Sequence, residues 1–172
     1  MSARQHDAAP VAPDPAPAPD PAPLELPDVA DTEALGERLA AGLAAGDLVV
    51  LSGPLGAGKT AFVRGLARGL GVSGPVTSPT FVIAREHRAG PRGVPLVHVD
   101  AYRLGMAADV AAELDDLDLD TDLADAVVAV EWGEGVAERL SARHLLVRLH
   151  RRPDDVREAT VVRVEAPGDQ TP

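Results

Sequence analysis

Residues 53–60 read GPLGAGKT and match the pattern G-x-x-x-x-G-K-S/T. The apolar run 48-LVVLS-52 leads in, as a buried strand would, and a helix is expected over residues 59–70, with Gly71 placed to stop it. This order restricts the fold more than any other feature. A central strand must deliver the loop to the end of a sheet, and a helix must begin where the loop ends. Glycines let the backbone curl into a concave nest of N–H groups that suits phosphate oxygens, and the helix start adds its positive dipole end. The expected nucleotide contacts are Gly53, Leu55, Gly56, Ala57, Gly58, Lys59, Thr60 and Ala61. Lys59 is the one lysine among sixteen basic residues. Its ammonium is a compact point charge with rotatable donors, which fits a narrow phosphate nest where the planar arginine fork does not. The Thr60 hydroxyl is the expected first ligand for Mg²⁺.

A length of 172 residues suits one domain. Apolar residues make up 45% of the chain but aromatics only 2%, so the core must be built from Leu, Val and Ala. The chain has no cysteine, which removes disulfides and thiolate metal sites and suits a reducing cytosol. No secretion signal and no membrane span are legible, and a cytoplasmic location is expected. A net charge of −11 disfavours a nucleic-acid-binding face, so any RNA would be held by a partner.

Residues 1–23 are Pro/Ala/Asp low complexity and are expected to form a disordered or polyproline-like tail, and residues 167–172 a short disordered C-terminal one. The folded domain should span 24–166. Asp31 is placed to N-cap a helix running to about Ala45, with Leu35, Leu39 and Leu43 on one face. Strand-like segments follow at 80-TFVIAREH-87, 95-PLVHVDAY-102, 126-AVVAVE-131, 144–150 and 158–165, with helices expected over 106–114 and 134–141. The segments 88–94 and 151–157 read as hairpin loops. The fold class is therefore α/β: a single P-loop NTPase-like domain, with a mixed sheet that includes antiparallel hairpins and is flanked by helices.

Such a loop needs a second magnesium ligand and a group that positions the attacking atom. Asp100 and Glu131 each end a buried strand, where α/β folds bind ligands. Both are candidate catalytic groups with Lys59, and Asp100 joins Thr60 as a metal ligand. His98 alternates within the same strand as Asp100, and a satisfied core histidine is the preferred reading. The 77-TSPT-80 loop either presents hydroxyls to a phosphate or metal, as a switch segment does, or is a plain turn into a strand. Trp132, the only tryptophan, either packs or stacks near the nucleotide or a partner. The acids of 113-ELDDLDLDTDLAD-125 read most simply as a solvated face pinned by Leu114, Leu117, Leu119 and Leu123.

Taken together, GPLGAGKT, TSPTF, HVDAYRL and VEWGE, in this order, resemble the bacterial TsaE (YjeE) family of small P-loop ATPases in tRNA threonylcarbamoyladenosine (t6A) biosynthesis. The resemblance covers about residues 31–165. It implies binding of ATP or ADP with Mg²⁺, and action with the TsaD and TsaB proteins, which transfer the threonylcarbamoyl group to tRNA adenosine 37. It places Thr60 and Asp100 at the magnesium positions, Ser78 and Thr80 in the switch-like loop, and Glu131 and Trp132 at a functional Glu-Trp pair. Two other classes remain open at this stage, a small-molecule kinase and a nucleotide-gated binding module without turnover. A GTPase is excluded in its usual form, because N-K-x-D needs an asparagine and a second lysine that the chain lacks.

Overall fold

Residues 21–79, 83–103, 112, 116–117 and 119–165 are described by the computed structural model. The expectations for the tail up to residue 20, for Thr80 and the strand start at 80–82, for most of a helix over 106–114 and for the C-terminal tail lie outside these residues. The elements run β1 (Leu24–Leu26), α1 (Val29–Ala40), β2 (Leu48–Ser52), α2 (Lys59–Leu70), β3 (Ala84–His87), β4 (Leu96–Asp100), α3 (Leu119–Asp125), β5 (Val127–Glu131), a single 3-10 turn (Ala137–Arg139), β6 (His144–Arg151) and β7 (Arg157–Val164).

The strands form one mixed sheet of seven in the order β1-β7-β6-β2-β5-β4-β3. The central four, β6, β2, β5 and β4, are mutually parallel, while β7, β1 and β3 add antiparallel edges. Both expected hairpins are present, β3–β4 and β6–β7. Central strands buried on two faces need apolar residues at successive positions, and β2 divides its run accordingly. Val49 and Leu51 pack toward Phe62, Leu66 and Leu70 of α2. Leu48 and Val50 pack toward Leu119 of α3, Val97 and Val128 on the opposite face.

Asp28, not Asp31, caps α1. Asp31 N–H donates to Asp28 Oδ1 at 3.1 Å and Asp28 N–H to Asp31 Oδ2 at 3.0 Å, a reciprocal capping box. The cap expected at Asp31 is thus the third helical residue of a helix that starts earlier. The helix also stops at Ala40, short of the expected Ala45. Arg92, in the β3–β4 loop, terminates it from outside: its guanidinium donates to the carbonyls of Ala40 and Gly69 at 2.9 Å and of Leu43 at 3.1 Å. One side chain so caps α1 and α2 together. The helix expected over 134–141 is reduced to the 3-10 turn, because Gly135 near its start holds a left-handed φ of 82°. The three-residue β1 and the short α3 were not foreseen. In α3, Leu119 is buried while Asp122 and Asp125 are exposed, as a pinned acidic face requires.

His87 ends β3 as a buried residue whose Nε2 has no hydrogen-bond partner among the described residues. Burial holds its imidazole below the ordinary value of 6.5, and the neighbouring His98 and Arg85 add to the effect. The unfolded chain therefore takes up this proton first as pH falls. The stabilisation is present above the unfolded value, about 6.5, and is lost as pH drops from there toward the folded value. Urea midpoints measured from about pH 7.5 to about pH 5 should fall in the native protein and fall less steeply in His87→Phe. Parallel slopes would show that another group carries the acid sensitivity.

Candidate active site

β2 ends at Ser52, and the loop that follows is shaped by Gly53, Gly56 and Gly58 at φ values of 141°, 79° and 108°. A Cβ on Gly53 would also overlap the Leu149 carbonyl of β6, so the loop leaves the sheet only with glycine there. Gly58 is the N-cap of α2, and the helix begins at Lys59 as the sequence predicts.

The strand register then brings the acids to the loop. β5 is the parallel neighbour of β2, with Leu51 opposite Glu131, and β4 lies beyond it with Asp100 opposite Glu131. Both carboxylates therefore stand level at the carboxyl edge of the sheet. Thr60 Oγ1 donates to Glu131 Oε1 at 2.8 Å. Ser78 Oγ donates to Asp100 Oδ2 at 3.2 Å, and Tyr102 N–H to Asp100 Oδ1 at 2.9 Å.

Lys59 is only 5% exposed. Its Nζ donates to the carbonyls of Gly53 at 2.7 Å and Pro54 at 3.0 Å, and lies 3.7 Å from the centroid of the Trp132 ring. Burial lowers the ammonium pKa, while the Glu131 and Asp100 carboxylates work in the opposite direction. Trp132 leaves β5 in the left-handed region and in turn packs on Tyr102, ring centroids 5.2 Å apart.

These groups line one open pocket of about 670 Å³. Of the residues expected from the sequence, Leu55, Gly56, Gly58, Lys59, Thr60, Ala61, Ser78, Asp100, Glu131 and Trp132 line it. Gly53 reaches the site through the Lys59 bond, and Ala57 is fully buried behind the loop. Val29, Arg64 and Tyr102 also line the pocket and were missed. Tyr102 was the one with a signal, since it continues the alternation His98, Asp100, Tyr102. The sequence favours a satisfied core histidine at His98. It is fully buried, but its Nε2 lies 2.8 Å from Glu131 Oε1, so it belongs to the site's hydrogen-bond network.

The family model described as threonylcarbamoyl adenosine biosynthesis protein TsaE matches residues 26–159, a span that takes in every pocket residue named above. The chain belongs to the TsaE family. A TsaE from Mycobacterium tuberculosis strain H37Rv is 63% identical over 139 residues, 78% of this chain and 83% of that protein. The Streptomyces coelicolor TsaE is 58% identical over 74% of this chain and 86% of its own length, and the Bacillus subtilis TsaE 39% identical over 78% and 80%. The crystal structure of Bacillus subtilis YdiB superposes with a TM-score of 0.66 at 33% identity, covering 84% of this chain and 86% of that one. The TsaE assignment connects the chain to tRNA threonylcarbamoyladenosine biosynthesis. No helix among the described residues is long and apolar enough to cross a membrane.

Proposed function

We propose that this TsaE protein binds ATP with Mg²⁺ and hydrolyses it to drive or reset a TsaD–TsaB assembly that modifies adenosine 37 of tRNA. The observation that carries this reading is the convergence of Lys59, Thr60, Ser78, Asp100, Glu131 and Trp132 on one pocket at the start of α2. The nest of residues 53–58 and the helix start would receive the phosphates, and Lys59 would reach the β- and γ-phosphates by releasing one loop carbonyl. The oxygen donors lining the pocket include the Thr60 and Ser78 hydroxyls and the Asp100 and Glu131 carboxylates, a set that suits a hard cation. Among the described residues no three His, Cys, Asp or Glu side chains gather into a metal site of their own. Magnesium at a nucleotide needs few protein ligands, because phosphates and waters supply the rest.

When bound, Mg²⁺ would neutralise charge building on the transferred phosphoryl oxygens. Thr60 and Asp100 would hold it. The Thr60 hydroxyl would keep a lone pair for the cation while donating its hydrogen to Glu131 Oε1. Glu131 would hold the attacking water through its remaining lone pairs and fix its orientation. Trp132 and Tyr102 would close one wall against bulk water.

The acidic charge of the chain fits a subunit that meets proteins while TsaD and TsaB hold the tRNA. A cytoplasmic location follows from the same role. A small-molecule kinase usually closes arginines of a lid over its substrate. Here the hairpin arginine Arg152 is tied down by Glu25, Asp154 and Glu158, and Arg151 by Asp155, which favours the ATPase reading.

The test is phosphate release from ATP with and without purified TsaD and TsaB. Release is expected to be slow alone and faster with the partners. Glu131→Ala should lower the stimulated rate by about tenfold or more. Phosphate delivered to a small acceptor would favour the kinase, and ATP binding with no turnover under any condition would favour a nucleotide-gated module.

A further inference from the structure

His98 sits in the middle of β4 with no solvent exposure. Its Nε2 is 2.8 Å from Glu131 Oε1, and the same oxygen accepts the Thr60 hydroxyl at 2.8 Å. A carboxylate oxygen accepts, so the ring proton is on Nε2. Nδ1 is left buried with no hydrogen-bond partner among the described residues. A core position filled only for packing is better served by an apolar side chain, since a buried, unpaired ring nitrogen is costly. What the imidazole supplies is a donor locked in place by the sheet. Glu131 is itself buried, with a side chain 4% exposed, and a carboxylate there requires fixed donors.

We infer that His98 is a positioning residue for the magnesium–nucleotide site. Its Nε2–H fixes the Glu131 carboxylate, and through the shared oxygen Oε1 that carboxylate fixes the Thr60 hydroxyl. The Thr60 hydrogen is then committed to Glu131, and the lone pairs of Oγ1 are turned to the pocket. The chain of contacts thus runs from the interior of β4, through the end of β5, to the first turn of α2. The inference rests on the nucleotide reading above and adds to it a residue that touches neither nucleotide nor metal.

The test compares His98→Leu with His98→Gln, whose amide nitrogen can reach the position of Nε2. ADP is titrated calorimetrically into the full chain, with and without Mg²⁺. In His98→Leu the Mg²⁺-free ADP affinity should stay close to that of the unsubstituted protein, while the gain in affinity on adding Mg²⁺ falls roughly tenfold. His98→Gln should restore most of that gain. In a Thr60→Val background His98→Leu should have no further effect. Equal losses with and without Mg²⁺, or the same loss in Thr60→Val, would reduce His98 to a packing residue and overturn the inference.

A ligand-free measurement guards against a misfolded variant. Long-range ¹⁵N–¹H correlation spectra of the unsubstituted protein should report the Nε2–H tautomer for His98, with its Nε2 resonance moved by Glu131→Ala. The other tautomer, or no response to Glu131→Ala, overturns the inference as well. If the unsubstituted protein fails to bind ADP, the nucleotide reading falls and the inference falls with it. If it binds ADP and only the His98 variants behave as packing mutants, the nucleotide reading stands alone.

Discussion

Lys59→Arg is expected to lower partner-stimulated ATP hydrolysis by about a hundredfold or more, although the charge is kept. That corresponds to roughly 2.7 kcal/mol of lost transition-state stabilisation at 1.36 kcal/mol per tenfold. The physical reason is the enclosure of the ammonium. Two loop carbonyls stand 2.7 and 3.0 Å from Nζ on one side, and the Trp132 ring stands 3.7 Å away on another. An ammonium can rotate its donors from carbonyl to phosphate within that space. A guanidinium is planar and wider, and must either displace Trp132 or open the loop. Trp132 cannot yield freely, because its backbone is held at a φ of 60° and its ring is backed by Tyr102. Single-turnover phosphate release in the presence of TsaD and TsaB measures the effect. An arginine variant that turns over at the native rate would refute this account of the lysine.

Gly65→Ala is expected to destabilise the fold by about 2–3 kcal/mol, in spite of alanine's better helix propensity. In an isolated helix the same change would gain about 1 kcal/mol. Here α2 lies directly on the backbone of α1. A methyl on Gly65 would overlap the Glu33 carbonyl, with the Glu33 carbonyl carbon at 2.6 Å and its Cα at 2.8 Å. Gly69 is equally confined, with the Glu37 carbonyl oxygen and Ala40 Cβ both 2.6 Å from an added Cβ, and Gly36 of α1 meets the Phe62 carbonyl from the other side. Main chain cannot rotate away as a side chain can, so the helices must separate. Because the first turn of α2 carries Lys59 and Thr60, separation would also disturb the site. Urea denaturation should show the midpoint shift. Gly42→Ala is the control: its nearest neighbour would be the Leu39 carbonyl oxygen at 3.8 Å, and its midpoint should barely move.

The glycine loop, the strand before it and the limits of α2 are local facts, and local sequence sufficed for them. The apolar run 48-LVVLS-52 is β2 in full, and the helix expected over Lys59–Leu70 agrees to the residue. The ends of α1 were misplaced at both termini for different reasons. At the start, Asp28 and Asp31 are both capping residues by type, and only the reciprocal pair shows which is the cap. At the finish, the stop signal is Arg92, about fifty residues further along the chain. Composition could not have revealed a cap supplied from so far away.

For the site, the sequence by itself determined which residue types were available: a phosphate nest with one lysine, a hydroxyl beside it, and two acids at the ends of buried strands. Each of those follows from a short segment and its own periodicity. Tertiary structure decided which of them meet. The order β2-β5-β4 puts Glu131 next to the loop and Asp100 one strand further out, and register alone sets them level. The same pairing turned His98 from a histidine in a strand into a donor held against Glu131. Strand order and register arise from packing across the whole sheet, where burial on both faces admits few arrangements. No segment read alone contains that information.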